Sequence, residues 1–283
     1  MTTSVVAKRA EELLGTTVVA TSAVAGGDIA VATKLRFSDG SSALMKTLPH
    51  PPAGFFAAEA RGLRWLADAG LPTPELLAGG EDCVILRWVE PGRPSAEGAE
   101  RLGRALAGCH GVTEASYGLA EDGYIGTLPL PNKPCETWPE FFATRRLLPY
   151  LKLAHDRGAV DPAQAAAIEA VVPRLAGLVP AEPPARLHGD LWNGNVLWGA
   201  DGGAWVIDPA AYAGHRETDL AMLHLFGLPQ LERLLDAYTE ARPLADGWRD
   251  RLALHQLFPL LVHAALFGQG YGARAAALAA RYR

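Results

Sequence analysis

One stretch limits the possible folds more than any other: His188-Gly189-Asp190-Leu191-Trp192-Asn193-Gly194-Asn195, followed by the apolar run Ala204-Trp205-Val206-Ile207 ending in Asp208. Asp190 and Asn195 stand five positions apart, and Asp208 lies thirteen beyond Asn195. A polar loop between two apolar flanks, closed by an acid at a strand end, places three oxygen-bearing side chains at one edge of a structure. Phosphoryl transfer from a nucleotide needs such a set: a carboxylate near the attacking hydroxyl and hard oxygen ligands for Mg²⁺ on the phosphates. The order matches a kinase catalytic loop, with Asp190 as base or orienter and Asn195 and Asp208 as metal ligands. A plain turn rich in Asp, Asn and Gly is the structural alternative, and the order and spacing argue against it. A metal-hydrolase use of His188 with Asp190 lacks a further His/Asp cluster at ligand spacing. His188 reads as a hydrogen-bonding anchor of the loop.

The N-terminal part tests this idea independently. Residues 16–24 and 29–37 are β-branched runs separated by Ala25-Gly26-Gly27-Asp28, and residues 43–47 supply a third strand ending at Lys46-Thr47. Residues 55–69 read as a helix stopped by Gly70. Short strands at 75–77 and 83–89 follow. On the helix, Phe56, Glu59, Leu63 and Leu66 share one face, so Glu59 sits on the apolar side. A carboxylate there is costly unless paired, and Lys46 is the expected partner. Together they would position the α- and β-phosphates. Gly26, Gly27 and Asp28 could let backbone N–H groups approach phosphates, although most Gly-Gly turns are plain hairpins. No GxxxxGK[ST] loop is present. Arg87-Trp88-Val89 precedes the connector Glu90-Pro91-Gly92-Arg93-Pro94, where backbone groups could meet a nucleobase.

Beyond the connector the chain is mostly helical. A helix face at Leu102, Leu106 and Cys109 comes first. The capping signals Thr137-Trp138-Pro139-Glu140 and Asp161-Pro162-Ala163-Gln164 predict helices to about Ala154 and Leu178. Helices resume from about Thr218. A net charge of −5 without a dense basic run argues against nucleic acid as a partner. The apolar run around Leu257–Phe267 is too short to span a bilayer. The N-terminus reads as a short amphipathic helix with no signal-peptide layout. Cys83, Cys109 and Cys135 form no CxxC pair, which fits idle thiols in a reducing compartment. The expectation is a cytoplasmic protein, monomeric or weakly dimeric.

Several segments together resemble the fructosamine/ketosamine kinase family, within the aminoglycoside-phosphotransferase-like, protein-kinase-like superfamily. They are LHGDLWNGNVLW (187–198), IDPAAYAGHRETDLAMLHLFG (207–227), YGLAEDGYIGTLPLPNKPCETWPEFFATRRL (117–147) and the HAALFG ending at 263–268. The first alone is similar to the whole superfamily; the others narrow it to the family. The resemblance implies an α+β, bilobal protein-kinase-like fold. Its N-lobe (1–90) would be a small antiparallel sheet with one helix, and its C-lobe (91–283) mostly helical. It implies Mg-ATP as donor and a ketosamine as acceptor, phosphorylated on the sugar 3-hydroxyl in a deglycation reaction. By the same resemblance Asp190 is the proton acceptor and Asn195 and Asp208 hold metal. Lys46 and Glu59 position phosphates, and Arg87, Trp88 and Val89 form the adenine hinge. Trp192, His215 and His263 fall on the substrate side, and Asp219 braces the loop. Asp28 stands where many relatives have Cys, and His263 where they often have Asn. Aminoglycoside, choline or homoserine kinases, and a nucleotide-binding module without catalysis, are the competing readings.

Overall fold

The computed structural model describes residues 3–25 and 29–282. Gly26, Gly27 and Asp28 therefore lie outside the described residues. The first elements are α1 (Thr3–Leu14), β1 (Val18–Ala23), β2 (Val31–Phe37), β3 (Ser42–Thr47), α2 (Phe55–Asp68), β4 (Leu76–Gly79) and β5 (Cys83–Arg87). The strands form one antiparallel sheet in the order β1-β2-β3-β5-β4. Alternation along each strand sends successive side chains to opposite faces. Leu35, Met45, Cys83 and Ile85 pack with Val6 and Ala10 of α1 on one face. Val84 and Leu86 pack with Phe56 and Leu63 of α2 on the other. The sheet thus carries α1 on one face and α2 on the other, because both faces are apolar. Lys46 pairs in register with Val84 and so points to the α2 side.

The remainder comprises α3 (Ala96–Cys109), β6 (Gly123–Ile125), β7 (Leu128–Leu130), α4 (Trp138–Phe141), α5 (Leu148–Asp156), α6 (Pro162–Glu169), α7 (Leu175–Leu178), β8 (Ala185–Leu187), β9 (Val196–Trp198), β10 (Ala204–Val206), β11 (Tyr212–Gly214), α8 (Glu217–Phe226), α9 (Leu231–Ala241), α10 (Trp248–His255), α11 (Leu257–Phe267) and α12 (Gln269–Ala279). The Thr137 hydroxyl accepts from Glu140 N–H, and helix continues from α4 to α5 through a π-helical stretch, Phe142–Leu147. Asp161 and Gln164 make the reciprocal cap, but α6 ends at Glu169, not near Leu178. Pro173 has no N–H to continue the ladder, and only a 3₁₀ turn and the short α7 follow. No helix among the described residues is long and apolar enough to cross a membrane.

Three features join the sheet to the helical part. The connector is stitched to the β9–β10 turn by Gly92 N–H donating to Trp198 O and Ala200 N–H donating to Glu90 O. Arg186 of β8 donates to Trp65 O near the end of α2, while its Nε bonds Glu114. The β6–β7 hairpin touches the start of α2 through Tyr124, whose hydroxyl donates to Ala53 O and whose ring lies 5.3 Å from that of Phe55.

Candidate active site

Two short antiparallel pairs, β8–β11 and β9–β10, deliver the polar loops to one place. The chain leaves β8 into His188-Gly189-Asp190, and leaves β10 into Ile207-Asp208-Pro209-Ala210. Gly189 has φ +81, and a Cβ there would lie 2.1 Å from Ala210 O. Only glycine permits both the left-handed turn and this contact. Asp219, at the start of α8, accepts from His188 N–H at 2.8 Å and Gly189 N–H at 2.9 Å, and lies 3.2 Å from His110 Nε2. Burial pushes its carboxyl up, but His110 and the Gly189 N–H outweigh that and hold it below the ordinary carboxylate range. His188 Nε2 donates to Ile207 O at 2.9 Å and its Nδ1 accepts from Asp190 N–H at 3.3 Å, so the ring ties the two loops together. Burial draws its pKa down, keeping it neutral.

Asn195 Nδ2 donates to Asp190 O at 2.8 Å and to Asp190 Oδ2 at 3.0 Å. The amide nitrogen is thereby committed to Asp190, and its oxygen is the atom a cation would take. Burial pushes the Asp190 carboxyl up; the Asn195 hydrogen bond opposes this, Asp208 and Asp219 add to it, and the result is a pKa of about 7. Asp208 lies two residues past β10 rather than at its end and has φ +57. A non-glycine residue in that conformation is uncommon, and such strain gathers at functional sites.

Lys46 Nζ donates to Glu59 Oε1 and to Asp208 Oδ1, each at 2.6 Å. Burial pulls the ammonium down, but the Glu59 and Asp208 carboxylates more than offset this and keep it protonated. One cation from the sheet thus links α2 to the far loop. Lys46, Glu59, Asp190, Asn195 and Asp208 all line a single cleft of about 1350 Å³. These five include three carboxyl groups and one ammonium, so the cluster has excess negative charge when ionised. The amide oxygen of Asn195 and the second oxygen of Asp208 are hard donors, and that charge and donor set fit a divalent cation such as Mg²⁺.

Arg87, Trp88 and Val89 line the same cleft, but β5 stops at Arg87. The N–H groups of Arg87 and Trp88 already donate to Glu75 O and Ser42 O. Among the described residues no backbone hydrogen bond engages the Val89 N–H. Trp192 and His263 also line the cleft. His215 does not. It is 0% exposed, 5.2 Å from the His255 ring, inside a core cluster with Glu217 and Arg251. The resemblance implies a place on the substrate side, but the structure buries His215 away from the cleft, where it supports the base of α8. His215, Glu217 and His255 place potential ligand atoms within 4.8 Å of one another. However, both Glu217 oxygens are already held by Arg251, and His255 bonds Oε2 as well. The Glu217 carboxylate is therefore committed to a buried structural network rather than open to a cation.

Sequence reasoning missed Arg146. It is 0% exposed, donates to Pro131 O and Asn132 Oδ1, and lies 3.9 Å from the centre of the Tyr212 ring. It fixes Asn132, which lines the cleft. A charged residue in a helical stretch carries no signal of burial, so no sequence pattern flags it.

A sheet lobe and a helical lobe, enclosing a cleft with this lysine, acid and amide set, define a phosphotransferase of the protein-kinase-like class. The fructosamine kinase family model matches residues 1–282. A protein of Thermus thermophilus assigned as a ketoamine kinase is 40% identical over 233 residues, covering 81% of this chain and 82% of its own length. The chloroplastic protein-ribulosamine 3-kinase of Arabidopsis thaliana is 33% identical over 260 residues, covering 88% and 78%. A crystal structure assigned to a fructosamine-3-kinase of Thermobifida fusca superposes with a TM-score of 0.92 at 49% identity, covering 97% of this chain and 96% of that one. The chain belongs to the fructosamine kinase family and is an ATP-dependent small-molecule kinase.

Proposed function

We propose that this kinase phosphorylates the 3-hydroxyl of ketosamines, the rearranged adducts of sugars with amines, as a deglycation step. The 3-hydroxyl oxygen forms the new bond to the γ-phosphorus, the bond from that phosphorus to the β,γ-bridging oxygen breaks, and ADP leaves. Asp190 takes the hydroxyl proton. Burial raises the Asp190 carboxyl to about 7, which makes it basic enough to serve. Lys46, oriented by Glu59, holds the donor phosphates. Asn195 and Asp208 would hold Mg²⁺, which neutralises phosphate charge when bound. The lobes divide at Glu90/Pro91, and the hinge at Arg87–Val89 receives the adenine through backbone groups. Trp192 and His263 form part of the acceptor side.

The observation that carries this reading is the Lys46 bridge to Glu59 and Asp208 in the cleft that also holds Asp190 and Asn195, in a chain matched by the family model over residues 1–282. The test is ATP consumption with ribulosamine, erythrulosamine and fructosamine adducts, set against an aminoglycoside, choline and homoserine. Turnover confined to the ketosamines supports the proposal. Turnover confined to the other alcohols contradicts it.

A further inference from the structure

Five aromatic rings run outward from the catalytic loop. Trp192, two residues beyond Asp190, lies 5.6 Å from Phe226 at the end of α8. Phe226 lies 4.7 Å from His263, and His263 lies 5.5 Å from Phe267 and 5.1 Å from Tyr271. The spacing of His263 and Phe267, i and i+4, puts both on one face of α11. All five rings line the cleft. Phe267, at the far end, is 58% exposed.

Among the described residues this wall has no charged side chain. The described residues that α8, α11 and α12 give to the cleft are Phe226, Val262, His263, Leu266, Phe267 and Tyr271. The acids and cations of the cleft come from other elements, such as Lys46, Glu59, Arg61, Asp190 and Asp208. His263 Nδ1 lies 2.8 Å from Pro259 O, and this hydrogen bond places the proton on Nδ1. Burial keeps the ring neutral, so Nε2 remains a hydrogen-bond acceptor.

We infer that Phe226, His263, Phe267 and Tyr271 receive the nitrogen and its substituent in the acceptor, and that Phe267 and Tyr271 select substituents that are apolar rather than anionic. This rests on the ketosamine reading. In such an acceptor the nitrogen is separated from the reacting hydroxyl oxygen by three carbon atoms. With that hydroxyl at Asp190 and the sugar beside Trp192, the nitrogen faces the wall. A protonated amine gains from ring faces and from an accepting His263 Nε2. A carbon chain on the nitrogen covers the exposed Phe267 ring. A carboxylate next to the nitrogen would lose hydration and meet no cation there.

The test compares kcat/KM for three ribulosamines: unsubstituted on nitrogen, N-hexyl, and N-carboxymethyl. The wild type should favour N-hexyl over the unsubstituted acceptor, with N-carboxymethyl last. In Phe267→Ala and Tyr271→Ala the ratio of N-hexyl to unsubstituted should fall by about tenfold, roughly the worth of one buried ring contact. Phe267 is exposed, so its replacement does not threaten folding. An unchanged ratio in both variants, or a wild-type preference for N-carboxymethyl, overturns the inference while leaving the ketosamine reading intact. Wild-type turnover of none of the three, with turnover of another alcohol, removes the ketosamine reading and this inference with it.

Discussion

Gly62 of α2 lies so close to Pro209 that a Cβ on the glycine would sit 3.2 Å from the proline Cγ, and at the same distance from Ala211 Cβ. Gly62 is three residues past Glu59, and Pro209 directly follows Asp208. The helix that orients Lys46 and the loop that receives it are therefore in contact without intervening side chains.

Gly62→Val should wedge α2 away from residues 209–211. The expected outcome is a loss of roughly 10²-fold in kcat/KM from ångström-scale misplacement of Glu59 and Asp208, with far-UV circular dichroism unchanged. Steady-state kinetics checks it. Activity within twofold of the wild type would show that this contact does not set the geometry.

Lys46→Met should abolish most turnover and lower stability by about 3–5 kcal/mol, because it strands buried Glu59 without its cation. Lys46→Met/Glu59→Leu removes the stranded acid and should recover at least half of that stability while activity stays lost. Urea unfolding alongside ATP turnover measures both. A double variant no more stable than the single one contradicts the pairing energetics.

Asp219→Asn weakens the anchor of the His188 and Gly189 N–H groups. Expected effects are a destabilisation of about 1–3 kcal/mol and a fall in kcat of roughly 10²-fold from loop misplacement. ATP affinity by titration calorimetry should change little. A variant with normal kcat would show that the brace is dispensable.

Acid should weaken the contribution of the α8 base. Burial, together with the nearby His255 charge, takes His215 down to about 4 from its ordinary 6.5. Between those values His215 binds more protons in the unfolded chain than in the folded one, so its contribution to stability is lost as pH falls from 6.5 towards 4, by up to about 3 kcal/mol, while Asp190, raised to about 7, acts in the opposite direction. Burial pushes Glu217 up, but His255 and Arg251 hydrogen bonds hold it down to about 2, against an ordinary 4.5. That adds a further loss below 4.5. From pH 7 to pH 4 the urea midpoint of the wild type should fall relative to that of His215→Gln. Equal slopes would remove His215 from the explanation.

Lys46 and Glu59 were legible because each obeys a local period: alternation on a strand, and the shared face with Phe56, Leu63 and Leu66 on a helix. Asp190 and Asn195 were legible through spacing alone, and their hydrogen bonds stay within five residues. The contact between Lys46 and Asp208 spans 162 positions and depends on the positive φ of Asp208, neither of which a local pattern carries. β6 and β7 have three residues each, too few to display alternation. His215 was misread and Arg146 missed for a common reason. Side-chain polarity does not distinguish a group facing a cleft from one buried inside a core.

The most direct measurement is the turnover of a ribulosamine adduct by Asp190→Ala, with ATP binding followed by calorimetry. The expected result is a fall of roughly 10²–10⁴-fold in kcat, the usual worth of a positioned general base, with ATP still bound. Undiminished turnover would contradict the assignment of Asp190 as the group that receives the acceptor's proton.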